Sequence, residues 1–338
     1  MPVTVSREAS GGSTDLVGGA QAPSTGRLPA NVVSPQKRRP RHWREIAIFV
    51  SPALLVFSAF VILPVVLAGY VSFFNWDGGG DLGDFVGFDN YTKVLEDAVF
   101  ISAMKNNAFI VVMSLLIQGP AALGIALLMN RKLRFRAGFR TMIFVPYVLS
   151  EVVAGAMWRL ILDQRGILNS LLIQLGVFDS PQDAIGWLSD TTLVMWTMVF
   201  VLTWKYVGLA IILFLAGLQG VPEDLLEAAQ IDGASWWQVQ RRITIPLLGP
   251  TIRVWMFLSI IGAIQLFDMA RLLTNNGAPF DSTFTMAMFV IDRAVTNRQY
   301  GYATAAAVVL FAISMAAALL FMRFVMRRDN QPEGKGAL

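Results

Sequence analysis

The sequence predicts an all-α, polytopic membrane protein with six transmembrane helices. Three observations carry that expectation. Of its 338 residues 55% are hydrophobic and only 15% are charged, whereas soluble domains carry about 25% charged residues. Several apolar runs approach or exceed the roughly 20 residues that a helix needs to cross a bilayer. Lys and Arg alternate between the segments joining those runs, as they do in multi-pass proteins.

The elements follow in order. Residues 1–45 are rich in Gly, Ser, Pro and Thr, turn basic between Lys37 and Arg44, and lack apolar periodicity. That is the composition of a disordered cytoplasmic tail, and its basic cluster is more simply a topology signal than a site for anionic lipid. A cleaved signal peptide would place a short apolar core near the N-terminus. Here the first apolar run starts at Ile46 and is too long, so it is expected to be an uncleaved span. The six spans are Ile46–Phe74, Asn107–Met129, Thr141–Leu162, Leu193–Gly217, Thr251–Leu273 and Gly301–Met322. Pro52, Pro64, Pro120 and Pro146 fall inside them and are expected to mark kinks. The transmembrane domain is thus expected at 46–325, with a cytoplasmic loop at 218–250 and a short cytoplasmic tail at 326–338.

With the N-terminus inside, the inner segments hold 18 Lys and Arg: seven in the tail, five in 131–140, two in 218–250 and four after Met322. The outer loops hold five, namely Lys93, Lys105, Arg165, Arg293 and Arg298. This asymmetry places both termini in the cytoplasm of a cell membrane. It also accounts for the net charge of +4 without nucleic acid. No pair of matching broken helices, the signature of many secondary transporters, is legible in the two halves.

Composition also excludes chemistry. The chain has no cysteine, so disulfides, thiolate catalysis and cysteine–metal sites are out. Its one histidine, His42, lies in the basic tail, so no histidine metal cluster is expected. Neither GxxxxGK[ST] nor GxSxG occurs. The chain is therefore not expected to be an enzyme.

Residues 218–250 are the informative interruption. Glu223, Asp224, Glu227, Asp232, Arg241 and Arg242 keep them out of lipid, since burying six such charges costs on the order of 15–20 kcal/mol. Two short helices with a sharp break are expected. Pro222 suits the first helical position and Gly233 the exit. Glu223 and Asp224 complement the dipole of the first turn. Ser235 suits an N-cap, and Trp236, Val239 and Ile243 make an apolar stripe. Pro246 and Pro250 mark the end of the island and the entry to the fifth span. Such an island either docks a partner or merely connects two spans.

The order Glu227-Ala228-Ala229, Asp232-Gly233, then Ile243 and Pro246 resembles the EAA signature of membrane subunits of binding-protein-dependent ABC importers, with its spacing intact and Ile245 where leucine is usual. LAGLQGVPEDLLEAAQIDGA (215–234), FVGFDNYTKVL (85–95), PYVLSEVVAGAMWR (146–159), the FD of IQLFDMA (264–270), the NNGAP loop (275–279) and QYGYATAAAVVLF (299–311) are similar to the carbohydrate-uptake branch, related to the maltose and glycerol-phosphate permeases. The resemblance covers most of 46–325. It implies a type I ABC importer permease fold in a bacterial or archaeal inner membrane. It implies a second, homologous permease as partner, two copies of a cytoplasmic ABC ATPase that bind ATP and Mg, and an extracytoplasmic solute-binding protein. This chain itself would bind no cofactor. The helix carrying Glu227, Ala228 and Ala229 would be the coupling helix.

Polar and aromatic side chains inside spans mark the path, because they are expensive in lipid. Trp204, Gln265 and Asp268 are expected to border it, combining an aromatic face for a sugar ring with hydrogen-bonding groups. Glu151, Arg159, Lys205, Arg271, Asn106, Asn107 and Gln118 are further intramembrane polar residues, with pairing or snorkelling as their plainer role. Lys205 and Arg271 leave open an anionic substrate such as a glycerophosphate ester. An ion-coupled carrier using Glu151 and Asp268 is the alternative from another class. The Asn90-Tyr91-Thr92 tripeptide carries little weight as a glycosylation site.

Overall fold

The structure is a computed structural model that describes residues 43–130 and 136–325. The expectations for 1–42, for 131–135 and for the tail after 325 lie outside the described residues. Contacts divide the chain into two compact units, Met1–Leu54 and Leu55–Leu338. The described part of the first is the start of a helix whose apolar side chains, Phe49 among them, are exposed. The second holds everything that follows.

Among the described residues, Ala47–Val71, Ala98–Met129, Leu193–Leu218 and Tyr300–Phe324 are helices long and apolar enough to cross a bilayer. The third expected span is instead a bent pair, and the fifth follows the second helix of the 218–250 loop across a sharp bend. Gly138–Val148 meets Glu151–Gln174 at 95°, and Trp236–Leu247 meets Gly249–Ile264 at 67°. Counting each pair once gives six spans. The second span starts nine residues before its expected position because Asp97 caps it, its Oδ1 accepting from the Val99 and Phe100 amides at 2.8 and 3.3 Å.

The prolines act in a regular way. Pro64, Pro120 and Pro246 each follow a π-helical turn, Ser58–Ile62, Ser114–Gln118 and Gln240–Thr244. In each case the residue just before the proline donates its amide five residues back: Leu63 to Ser58, Gly119 to Ser114 and Ile245 to Gln240. A proline has no amide hydrogen and its ring crowds the carbonyl four residues back. One wide turn relieves that clash while the helix continues. The kinks expected at Pro64 and Pro120 are therefore π turns within continuous helices, and Pro52 lies inside its helix.

The fourth span is the most enclosed, with 56% of its apolar window buried. The helices Gly119–Met129 and Arg136–Val148 pack along it. Gly208 permits the second contact: a Cβ there would strike the Ile143 carbonyl oxygen and lie 3.2 Å from the Phe144 Cα. Trp255 closes the same core against Phe214, ring centres 5.7 Å apart. A second core gathers Phe100, Met269, Met286 and Phe289.

Outside the spans, Phe74–Asn75 pairs antiparallel with Asp84–Phe85. The buried Asn90 amide ties this hairpin down, donating to the carbonyls of Ser72 and Phe74 at 2.8 and 3.0 Å. Its side chain is thus a structural strut, in keeping with the low weight given to the tripeptide.

Candidate functional site

The polar island folds as two short helices, Glu223–Ile231 and Trp236–Leu247. Pro222 is the N-cap of the first, one position earlier than expected, and Glu223 and Asp224 occupy its first turn. Its exit is a Schellman motif. The Gly233 amide donates to the Gln230 carbonyl and the Ala234 amide to the Ala229 carbonyl, both at 3.0 Å. Gly233 sits at φ +77°, in the region that side chains with a Cβ avoid. The Ser235 hydroxyl accepts from the Gln238 amide, and the Gln238 side chain accepts from the Ser235 amide at 2.7 Å, a reciprocal cap. Of the expected stripe only Val239 is buried, while Trp236 remains 40% exposed.

No residue of Glu223–Ile231 is buried. Leu225 and Ile231 are 47% and 87% exposed, and Glu227, Ala228 and Asp232 are also on the surface. Asp232 is the C-cap residue. Ile243 and Pro246 lie on the second helix, at the π turn and just after it. The EAA residues therefore form a rigid, capped, outward-facing unit.

Inside the spans lies a cavity of about 600 Å³. Its walls are the two breaks and the second, fourth and fifth spans. The third-span helix ends at Val148 and restarts at Glu151. Three carbonyls at that break accept from the Lys205 ammonium: Pro146 at 3.0 Å, Tyr147 at 2.9 Å and Leu149. Lys205 is 2% exposed. A helix C-terminus leaves carbonyls without partners and carries partial negative charge, so a buried ammonium is matched to it on both counts. On the other side of the break the Tyr206 hydroxyl donates to the Glu151 carboxylate. Neighbouring residues of one helix thus hold both ends of the break.

The fifth-span helix stops at Ile264, about 24 Å long at 1.5 Å per residue. The chain then unwinds through Gln265, Leu266 and Phe267 before the short helix Asp268–Leu273. The helix expected to run on to Leu273 is interrupted because its carbonyls have other partners. The buried Asn107 amide donates to the carbonyls of Ala263 and Ile264 at 2.7 and 3.2 Å, and its oxygen accepts from the Met286 amide at 2.9 Å. The Thr285 hydroxyl donates to the Leu266 carbonyl at 2.7 Å. Irregular backbone at such a depth persists only when it is satisfied this way and borders a cavity. Two broken helices therefore exist where the sequence showed none.

Of the expected path residues, Gln265 and Asp268 line the cavity, together with Glu151 and Gln118. Trp204 does not: its ring meets Trp158 edge-on at 5.2 Å, within the core. Tyr147, Tyr206 and Phe267 supply the aromatic faces instead. Arg159 donates to Asn275 at 3.1 Å rather than pairing with Glu151. Asn106 donates to the Ser282 and Phe284 carbonyls, both at 2.9 Å. Lys205 does not snorkel, and Arg271 lays its guanidinium over the Phe267 ring, 5.5 Å from its centre. Neither cation lines the cavity. Sequence reasoning missed Tyr147 and Tyr206. Their signals were a Pro-Tyr pair in mid-span, followed by Ser150-Glu151 as a helix start, and a tyrosine beside the intramembrane lysine.

Comparison with known proteins agrees with this architecture. Residues 118–329 match the family of binding-protein-dependent transport system inner membrane components. A diacetylchitobiose uptake system permease protein of Streptomyces coelicolor is 33% identical over 298 residues, 85% of this chain and 83% of that protein. A lactose transport system permease protein of Rhizobium radiobacter is 32% identical over 289 residues, 84% of this chain and 94% of that protein. The crystal structure of a bacterial ABC transporter involved in the import of the acidic polysaccharide alginate shares the fold, with a TM-score of 0.73 at 23% identity, over 86% of this chain and 96% of that one. The chain belongs to the binding-protein-dependent transport system inner membrane component family, the non-catalytic permease subunits of ABC importers.

Proposed function

We propose that this chain forms half of the translocation path of an ATP-driven sugar importer, with oligosaccharides as its cargo, and that its EAA helix transmits the power stroke of a cytoplasmic ATPase. The observation that carries the proposal is Glu223–Ile231: a capped helix of charged and apolar residues, none of them buried. An isolated helix of nine residues is marginal in water. This one is fixed at both ends, by Pro222 and by the Gly233 turn, and presents Leu225, Ala228 and Ile231 outward. Such a helix suits a cleft in a partner. ATP binding then shifts the spans between states through differential contact with that helix.

The partners follow from this reading: a second permease completing the path, two ATPase copies holding ATP and Mg, and a solute-binding protein on the outer face. Both termini lie on the ATPase side. Sugar as substrate is supported by the diacetylchitobiose and lactose permeases among the relatives, and by a cavity that combines Tyr147, Tyr206 and Phe267 with Gln118 and Gln265. Carbohydrate sites need apolar ring faces and planar hydrogen-bonding groups together.

The test is uptake of labelled disaccharides by vesicles holding the full complex, with ATP supplied inside or withheld. ATP-dependent uptake that fails when Gly233 is replaced by Val supports the reading. Uptake that ignores ATP and collapses with a protonophore overturns it in favour of an ion-coupled carrier.

A further inference from the structure

The cavity between the two breaks has a one-sided charge inventory. Among the described residues its lining includes two carboxylates, Glu151 and Asp268, and no Lys or Arg. They come from separate elements, one from each helix that restarts after a break. The remaining polar lining is neutral, including Gln118, Ser259 and Gln265. Two cations stand outside the lining, and Lys205 interacts with Glu151 from there and offsets part of its charge. Lys205 is buried behind the wall on three main-chain carbonyls, and Arg271 lies on the Phe267 ring.

We propose that Glu151 and Asp268 are specificity-determining residues that close this cavity to anions, so that the path takes neutral and amino sugars and rejects uronic acids and sugar phosphates. The proposal rests on the transport reading for its substrate, but the charge filter is a property of the cavity alone. Two carboxylates in a space of about 600 Å³ act on any solute within a few ångströms, Glu151 the less for Lys205 behind it, and the apolar walls weaken screening. The Tyr206 hydroxyl donates to Glu151, which leaves the carboxylate as an acceptor and fixes its position. A sugar hydroxyl or ammonium can donate to the free carboxylate oxygens, whereas a second carboxylate cannot.

The absence of cysteine makes a direct test available. Gly262 lines the cavity, and a Cβ there meets nothing within 4 Å. In the purified complex, Gly262→Cys is treated with a cationic and an anionic methanethiosulfonate of similar size, and modification of this chain is followed by mass. Each rate is normalised to a small neutral thiol in solution. The expected result is at least a ~10-fold faster reaction with the cation, an advantage that falls severalfold on adding Asp268→Asn and further with Glu151→Gln. Thr203→Cys, on the fourth span's part of the lining, should behave alike. Equal rates, a faster anion, or no reaction of either reagent at both positions overturns the proposal. Neither sugar nor ATP is involved, so this outcome is independent of whether the complex transports sugar.

Discussion

Replacing Lys205 by Met tests how the third span stays broken. Methionine nearly matches the lysine stem in length and removes only the ammonium, which donates to three carbonyls from a position that is 2% exposed. A buried polar group left without its partner costs about 1–3 kcal/mol, so three orphaned carbonyls set a ceiling near 9 kcal/mol. The cavity runs beside Tyr147, so water re-solvates part of this deficit and about 3 kcal/mol is the expected loss. At roughly 2.1 cal/mol/K per residue, a body of about 280 residues has an unfolding entropy near 0.6 kcal/mol/K, which converts the loss to about 5 °C. The assay is thermal unfolding of the purified complex in detergent, with uptake measured in parallel. Uptake should fall too, because Tyr147 and Glu151 are placed by the same break. A variant that melts within a degree of the parent and transports normally would refute the capping role.

Other substitutions separate the remaining roles. Gly233→Val forces a β-branched residue to φ +77°, at a cost of about 1–2 kcal/mol. Membrane levels should hold while coupling of ATP hydrolysis to uptake is lost, and Gly233→Asn, which tolerates that region, should recover much of it. Gln265→Ala should raise the half-saturating sugar concentration about tenfold, the equivalent of one hydrogen bond of ~1.4 kcal/mol. Trp204→Ala should instead lower the melting temperature through its lost packing on Trp158 and leave half-saturation unchanged. Asn107→Ala removes two donations and one acceptance and should cost about 2–4 kcal/mol in the same melting assay, whereas Asn107→Asp retains only the acceptance from Met286.

The parts of this fold that were legible in the sequence are those set by local rules. Span length, the glycine exit at Gly233 and the Ser235 cap need only neighbouring residues, and these two caps appear where the sequence placed them. The breaks at 149–150 and 265–267 were not legible. Apolar composition alone suggests continuous helices over 141–162 and 251–273. What interrupts them is supplied from afar: Lys205 reaches back 55 residues or more, and Asn107 reaches forward more than 150. The same holds for the site. Gln265 and Asp268, expected from the expense of polar groups in lipid, a local criterion, do line the cavity. Trp204 was placed on the path by chemistry alone, since its local sequence does not say which face of the fourth span points inward.

The cost criterion can be sharpened in light of these partners. Of the polar residues in mid-span, Asn106, Asn107 and Lys205 all donate to main-chain carbonyls of other segments, whereas Glu151, Gln265 and Asp268 face the cavity. The division follows hydrogen-bond chemistry. Backbone that leaves a helix exposes carbonyls as readily as amides, and a carbonyl needs a donor. Lysine and the asparagine amide supply donors, while carboxylates supply only acceptors. Asn107 and Lys205 are therefore held on carbonyls at the breaks, while Glu151 and Asp268, at the starts of the helices that follow, face the cavity with Gln265. A cavity lined by acids and amides, with its cations buried behind the wall, is the expected by-product of holding two helices open. A Glu151→Lys exchange tests this ordering. It should be tolerated poorly even with Lys205→Glu in the same chain, because an acid at 205 cannot donate to Pro146, Tyr147 and Leu149. Recovery of stability in that double exchange would show that charge balance, not donor supply, governs the break.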